Sequence, residues 1–523
     1  MKVIVYKCQI QNIITTGDTK YMKLEIQTDE LWYGALTNLG IHMPFTAESK
    51  IDIKLDVNMT PNQGMPFLVS SEGRWIWLNV PYSLSFHDGI IEFPEGSGTG
   101  RAGETLKDAY LYVNSTYFPQ SDSMPDERLF TSPIFNTWIE YTFFQSKKNT
   151  LEYAENILKA GFKPGVLMID DSWAESYGTW SFHSGRFPHP EKMLEKLHKM
   201  GFTVILWICP YVTPDTLKYR EARNRGLLLS DRDGKPFLCD WWNGYSAALD
   251  LSNREALVWL EEQMDKLTEL GVDGFKFDGA DPMHYIGAYH GNSKVDCNEM
   301  ARIWAEFGSI WPLNEMRASW EAAAKPNLQR LSDKDHTWGD KGIRALVPDT
   351  LALGIMGHPY SCPDMIGGGE YLNFEANSDR LDTEIFIRHA ATAALMPAIQ
   401  FSAAPWRILS RKDQDRIHKL IEIREKYLPY IMDLMKKSAS TNEPIARYME
   451  YVFPHQGFGR INDQFMVGNE LLVAPVLEKG KTSRMVAIPE GNWSFNGKTI
   501  KGGRTVELEG NDIPLIVLER EAR

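Results

Sequence analysis

The residues of this chain best suited to chemistry are aspartates that stand where short apolar runs end. Asp170 and Asp171 follow GVLMI, Asp278 follows GFKF, Asp333 and Asp335 follow NLQRLS, and Asp364 follows GIMGHPYSCP. Cys8, Cys209, Cys239, Cys297 and Cys362 are scattered, with no CxxC pair, no Cys/His cluster and no GxSxG stretch. No metal and no organic cofactor is therefore expected. Paired carboxylates without a metal suit the cleavage of a glycosidic bond. One attacks the anomeric carbon or activates water, and the other protonates the departing oxygen. Their surroundings must then hold their proton affinities apart. A lone aspartate after a strand serves more often as a helix cap; Asp171, before Ser172, is open to that reading, and Asp281 and Asp340 read as solvated loop residues. Four strand ends repeating the arrangement favour one shared site.

Such a site needs a scaffold that brings strand ends together. Between about residues 130 and 436 short strands, apolar throughout, alternate with amphipathic helices. The run TLEYAENILKAG places Leu151, Ala154 and Leu158 on one face, with Thr150 as cap and Gly161 as stop. GVLMID, a helix near 190–200 and the strand FTVILW follow. A further helix near 253–270 starts at a capping box of Ser252 and Glu255, carries Leu257, Leu260, Met264, Leu267 and Leu270, and stops at Gly271. GFKFD comes next, and a long helix near 411–436 closes the region. Strands apolar on both faces imply a parallel sheet covered by helices. The length suits a (β/α)8 TIM barrel, whose reactive groups sit at the C-terminal ends of its strands. An open doubly wound sheet is the alternative, weakened by the lack of GxGxxG after a strand.

The flanks read differently. In residues 1–129, VIVYKCQI, YMKLEIQT, IDIKLDV and RWIWLNV alternate apolar and polar residues, the period of strands with one wet face; an N-terminal β-sandwich is expected. FMVGNELLVAPVL, SRMVAIP and TVELEG predict a C-terminal β-domain over 437–523. The whole is an α/β chain of three domains, with 130–436 as the barrel.

With 523 residues the chain is too long for one core. Its net charge of −13 argues against nucleic acid or an anionic membrane as partner. No apolar run approaches the roughly 20 residues that span a bilayer, and the first residues lack the apolar core of a signal peptide. A cytoplasmic compartment with reduced thiols fits. The 16 tryptophans suit a large core and also suit sugar stacking.

Seven stretches in order, GVLMIDDSW, WWNGYSAALDLSN, DGFKFDGAD, RLSDKDHTWG, MGHPYSCPDMIGG, MPAIQFSAAPWR and DQFMVGNELLVAPVLEKG, carry a resemblance from about residue 135 to the C-terminus. They resemble glycoside hydrolase family 31, the retaining α-glycosidases, with the nearest likeness to its myogenesis-regulating glycosidase branch. The resemblance implies that Asp278 is the nucleophile. The family's W-x-G-D acid/base motif is absent. Asp335 is favoured for that role because it precedes Asp364 by 29 residues, close to the family's separation, and Asp333 is the alternative. Asp170, three residues before Trp173, matches an aspartate that grips sugar hydroxyls. Arg317 resembles an arginine that pairs with carboxylates and a hydroxyl. Asp364 would bind hydroxyls too. Asp171, Lys276 and Trp173 join the substrate-binding set, and Trp242, Trp338 and Trp406 would wall the pocket. Where many α-glucosidases carry a histidine after the last barrel strand, this chain has Ser402. That departure, with the branch likeness, points to exo-hydrolysis of a terminal α-linked hexose, α-galactose foremost. The alternatives are an α-glucosidase or α-xylosidase, a transglycosylase, and a non-catalytic sugar-binding paralogue. The partner expected is a small oligosaccharide or glycoside, with a homo-oligomer as a compatible assembly.

Overall fold

The computed structural model describes residues 20–80, 83–369, 381–510 and 512–521; the VIVYKCQI run and Cys8 lie outside them. At its centre is a sheet of parallel strands: β1 (Ile134–Asn136), β2 (Val166–Ile169), β3 (Thr203–Ile208), β4 (Gly274–Phe277), β5 (Asn314–Met316), β6 (Leu328–Arg330), β7 (Ser361–Cys362), β8 (Met365–Ile366) and β9 (Gln400–Phe401). Neighbours in sequence pair from β1 through β7, and β9 pairs with both β1 and β8. The two edges of the sheet order, β7 and β8, are halves of one strand broken at Pro363 and Asp364. The ring thus closes into the expected (β/α)8 barrel. Proline cannot donate to a ladder, and Asp364 turns the chain with φ +78°. The break directs a carboxylate inward at the barrel's C-terminal end.

Helices cover the ring: α1 (Lys147–Lys159), α2 (Pro190–Lys199), α3 (Arg254–Leu270), α4 (Cys297–Gly308), α5 (Ile343–Ile355), α6 (Thr383–Ala393) and α7 (Arg411–Thr441). This is why the strands are buried on both faces. Two caps differ from expectation. Ser146, not Thr150, caps α1 by accepting from Asn149 N, and the Thr150 hydroxyl donates back to Ser146 O. Asn253, not Ser252, caps α3 by accepting from Glu255 N, because the Ser252 hydroxyl is taken by the Asp250 carboxylate. In α3 the buried stripe is led by Ala256, Trp259, Leu260, Met264 and Leu267, with Gly271 in the left-handed region ending it. The last helix, α7, continues to Thr441, past 436.

Two four-stranded antiparallel sheets precede the barrel. One orders Tyr21–Glu25, Ile90–Pro94, Ser83–His87 and Ile51–Lys54; the other orders Trp32–Leu36, Gly64–Ser70, Arg74–Trp77 and Gly98–Arg101. Period-2 alternation missed one helix there, Leu106–Tyr117, which a Thr105–Asp108 capping box starts. The loop between the second sheet's first two strands reaches the barrel rim. Asn62 Oδ1 accepts from Ser332 N (2.8 Å) and its amide donates to Ser332 Oγ (2.9 Å); Gln63 Nε2 donates to the carbonyl of Arg330 (2.9 Å). After α7 a six-stranded sheet and a two-stranded one form the C-terminal β-domain. Its core of Met466, Leu472, Trp493, Ile516 and Leu518 is its own. Among the described residues no helix is long and apolar enough to cross a membrane.

Candidate active site

The strand ends converge on a cavity of about 340 Å³ lined by Asp170, Asp171, Lys276, Asp278, Asp281, Arg317 and Asp333, with Trp207, Trp242, Phe143 and Met365 among its apolar walls. Charged and polar groups gathered beside flat aromatic walls suit a small ligand rich in hydrogen-bonding groups. Among the described residues no group of three or more His, Cys, Asp or Glu could hold a metal ion.

Asp278, one residue beyond β4, is 7% exposed. Its Oδ1 accepts from Arg317 Nε (2.7 Å) and Gly279 N (2.9 Å), and its Oδ2 accepts from Trp207 Nε1 (2.8 Å). Lys276 Nζ lies 3.9 Å away. Burial opposes the charge, but the Arg317 and Lys276 cations outweigh it, with Arg330 and the Trp207 hydrogen bond adding to them. They hold the carboxyl well below the usual carboxylate range. Lys276 shares the inward face of β4 with Asp278 because side chains alternate along a strand. It donates to Asp170 Oδ2 at 2.7 Å. Burial works against its ammonium, yet Asp170 and the other acids around it carry its pKa above the ordinary value.

Arg317, one residue past β5, holds two carboxylates: Nε goes to Asp278, while Nη1 and Nη2 grip Asp281 at 2.8 and 2.7 Å. Nη1 also donates to Pro61 O (2.8 Å), so the N-terminal loop supports the clamp. Asp281 is fully buried, correcting its reading as a solvated loop residue. Gly279 and Ala280, both with positive φ, fold the chain back and bring it under Arg317. Asp340 is on the surface with Arg344 (3.0 Å). Asp171 is no helix cap. Its Oδ2 accepts from Asn243 Nδ2 (2.7 Å) and Tyr177 Oη (3.1 Å), and burial followed by repulsion from Asp170 pushes its carboxyl up to about 7.

The acid/base candidates separate. Asp333 lines the cavity with its side chain 39% exposed, and its Oδ1 accepts from Arg330 Nη1 at 2.8 Å. Asp335, two residues on, is not among the lining residues. The chain turns there: its N–H donates to Lys341 O (2.9 Å) and its carbonyl accepts from Thr337 N (2.8 Å). The expectation built on the distance to Asp364 is corrected by that turn. Nor does Asp364 line the cavity. It lies beneath the surface, fully buried, accepting from Arg330 Nη1 and from Lys334 N, each at 2.8 Å.

Of the tryptophans, only Trp242 of the expected set lines the cavity, with the Arg317 guanidinium 5.1 Å from its ring. Trp173 is buried and donates to Trp207 O (2.6 Å), bordering a neighbouring cavity instead. Trp338 donates to Asp382 Oδ2 (2.9 Å) beneath Arg388 and Lys479, and Trp406, part-buried, packs on Tyr153 at 5.4 Å against the edge of the core. Trp338 and Trp406, expected as pocket walls, thus pack elsewhere, and Trp173 borders the neighbouring cavity. Trp207, Trp138, Phe143, Asn243 and Asp281 line the cavity without having been singled out for it. Asn243 follows the WW pair of the inserted hairpin, a signal that was in view; Trp207 ends FTVILW and needed only the strand-end rule. Ser402, fully buried, donates its hydroxyl to Gly368 O at 2.7 Å.

The glycosyl hydrolases family 31 TIM-barrel domain matches residues 134–434, and the family's C-terminal domain matches 442–520. The chain is 32% identical to mouse (Mus musculus) myogenesis-regulating glycosidase over 77% of its own length and 58% of that protein's. It is 23% identical to a Saccharolobus solfataricus α-glucosidase over 72% of its length and 61% of the relative's. It thus spans about three fifths of these relatives. In fold, a Flavobacterium johnsoniae dextranase complexed with glucose superposes with a TM-score of 0.84 at 20% identity, covering 97% of this chain and 67% of that one. A soil-metagenome α-xylosidase complexed with xylose gives 0.81 at 22% identity, covering 96% and 79%.

Proposed function

Because the chain belongs to glycoside hydrolase family 31, we propose that it is a retaining, exo-acting α-glycosidase in which Asp278 is the nucleophile and Asp333 the acid/base. The observation that carries this reading is the contrast between two carboxylates at one cavity. Asp278 is buried and kept ionised by Arg317 and Lys276, while Asp333 is part-exposed and open to the pocket. The first suits attack on an anomeric carbon, and the second suits exchange of a proton with a leaving oxygen and then with water.

In the first step the Asp278 carboxylate bonds to the anomeric carbon as the glycosidic C–O bond breaks, and the Asp333 proton goes to the departing oxygen. In the second step Asp333, now ionised, takes a proton from water as that water attacks the same carbon. The Asp278 ester bond breaks and the sugar leaves with its α configuration. Arg317 and Trp207 orient Asp278 throughout and limit its motion. The Asp170–Lys276 pair and the Asp171–Asn243–Tyr177 cluster present polar atoms where a sugar's hydroxyls would lie. Their fixed geometry favours one hydroxyl pattern over another, because a mismatched sugar leaves buried polar groups unpaired.

The sugar we assign is a terminal α-hexose, α-galactose foremost. Ser402 supports the departure from glucose: it is fully buried, its hydroxyl donates to Gly368 O, and it is not among the cavity-lining residues, so it stands in for no histidine ligand. A panel of 4-nitrophenyl α-glycosides tests the reading, with kcat/KM for galactoside above that for glucoside and xyloside as the expected order. A clear glucoside preference would overturn the sugar and leave the chemistry. No turnover of any α-glycoside would overturn the reading as a whole.

A further inference from the structure

Arg330 is a heavily engaged cation of the site, and no step of the proposed reaction uses it. It is fully buried in the barrel at the end of β6. Its Nε donates to Glu315 Oε1 at 3.1 Å. Its Nη1, which has two hydrogens, lies within hydrogen-bond distance of three oxygens: Asp333 Oδ1 at 2.8 Å, Asp364 Oδ1 at 2.8 Å and Leu331 O at 2.9 Å. Two carboxylates thus meet at one nitrogen, with their oxygens no further apart than twice 2.8 Å. Like charges that close resist ionising together.

We propose that Asp364, Arg330 and Asp333 form one proton-sharing unit, in which Asp364 is a positioning residue that keeps the proton on the acid/base and is not a ligand of the sugar. The inference rests on the reading of Asp333 as acid/base. The contacts decide where the proton sits. Asp364 has both oxygens filled by N–H donors, Arg330 Nη1 on Oδ1 and Lys334 N on Oδ2. A carboxyl so bound has no acceptor facing it for a hydroxyl hydrogen. Asp333 uses Oδ1 on Arg330, and its Oδ2, on the part-exposed side chain, accepts from no donor among the described residues and can carry the proton into the cavity. Arg330 alone would strip that proton, since a cation at hydrogen-bond distance favours the charged form; the Asp364 charge on the same nitrogen offsets it. Around the pair, Asp333 is also faced by Arg317 from β5, while Arg330 is faced by Glu315 and Asp278. Cys362 at the end of β7 and the Lys334 backbone border Asp364. Burial and the neighbouring Asp333 push Asp364 upward, so the two carboxyls compete for one proton, and the contacts, with both Asp364 oxygens already filled by N–H donors, place it on Asp333. The broken strand between β7 and β8 thus places a second carboxylate behind the acid/base.

The test is the pH profile of Asp364→Asn, with substrates of poor and of activated leaving groups. The alkaline limb of kcat/KM should move to lower pH by on the order of one unit or more. The loss at neutral pH should be large for the poor leaving group and small for the activated one, and inhibition by the free monosaccharide should be unchanged. Equal losses on both substrates, weakened monosaccharide binding and an unmoved limb would make Asp364 a sugar ligand and overturn the proposal. Should Asp364→Asn fail to fold, the wild type and Asp333→Asn answer by infrared difference spectroscopy. The wild-type-minus-Asp333→Asn difference spectrum at neutral pH, in which the Asp171 contribution cancels, should contain a protonated-carboxyl band, and its absence overturns the proposal. The parent reading is checked apart: Asp333→Ala without any dependence on leaving group would remove both, whereas that dependence with an unmoved Asp364→Asn limb removes the present inference alone.

Discussion

Asp171 should make the protein less stable at neutral pH than an uncharged residue would. Its carboxyl is 2% exposed, and burial and Asp170 raise it from 3.8 to about 7. In the unfolded chain it titrates near the ordinary value, so between about pH 4 and 7 the native state binds more protons than the unfolded one. Stability from this group therefore falls as pH rises through that window. A shift of roughly three units at about 1.4 kcal/mol each gives a cost of about 4 kcal/mol above pH 7. Asp171→Asn removes that cost. The amide oxygen can still accept from Tyr177 and Asn243, while its NH2 must face the Ser172 N–H that now donates to Oδ1. One unmet donor costs about 1–2 kcal/mol. The net expectation is about 2 kcal/mol of stabilisation at pH 8, shrinking to nothing or reversing near pH 4.5. Denaturant unfolding of both proteins, followed by tryptophan fluorescence across this range, measures it. A wild-type–variant difference that stays constant with pH would refute the reasoning, as would a variant less stable at pH 8.

Asp278→Ala should lower kcat by several powers of ten while far-UV circular dichroism stays that of the wild type; near-normal turnover on good substrates would remove Asp278 from its role. Asp333→Ala should retain the first step with activated leaving groups and recover turnover with azide, whereas Asp335→Ala should behave as wild type; the reverse pattern would exchange the two. Gly369→Ala should lower turnover of poor leaving groups most, because a Cβ there would sit 2.6 Å from Asp333 Cγ; equal kcat/KM for variant and wild type on such substrates would show that Asp333 is not held against that backbone.

The parts of the site that follow a strand were legible in the sequence. Asp170 and Asp278 sit just past apolar runs, and the barrel rule directs them inward, whereas Lys276 and Arg317 enter only with the family resemblance. Residues placed by a turn were not. DGFKFDGAD reads as placing Asp281 in a solvated loop, because nothing in it shows that Gly279 and Ala280 fold the chain back under Arg317. The choice of Asp335 rested on counting along the chain to Asp364, while the bend after Arg330 decides which carboxylate faces the cavity. Since β6 ends at Arg330, the nearer aspartate was the better strand-end residue. The tryptophans illustrate a different limit. Trp406 and Trp242 are the same residue type, and only packing sets one against the core and the other at the cavity. Contacts such as Asn62 to Ser332 join residues far apart in sequence, and periodicity holds no trace of them.

The most direct test of the account is to trap the covalent intermediate. Incubation with a slow fluorinated α-glycosyl fluoride of the preferred sugar, followed by digestion and mass spectrometry of the labelled peptide, identifies the residue bonded to the anomeric carbon. The account predicts one glycosyl group per chain, on Asp278, in the peptide that contains GFKFD. A label on another carboxylate, or complete turnover to the β-anomer with no adduct, would contradict it.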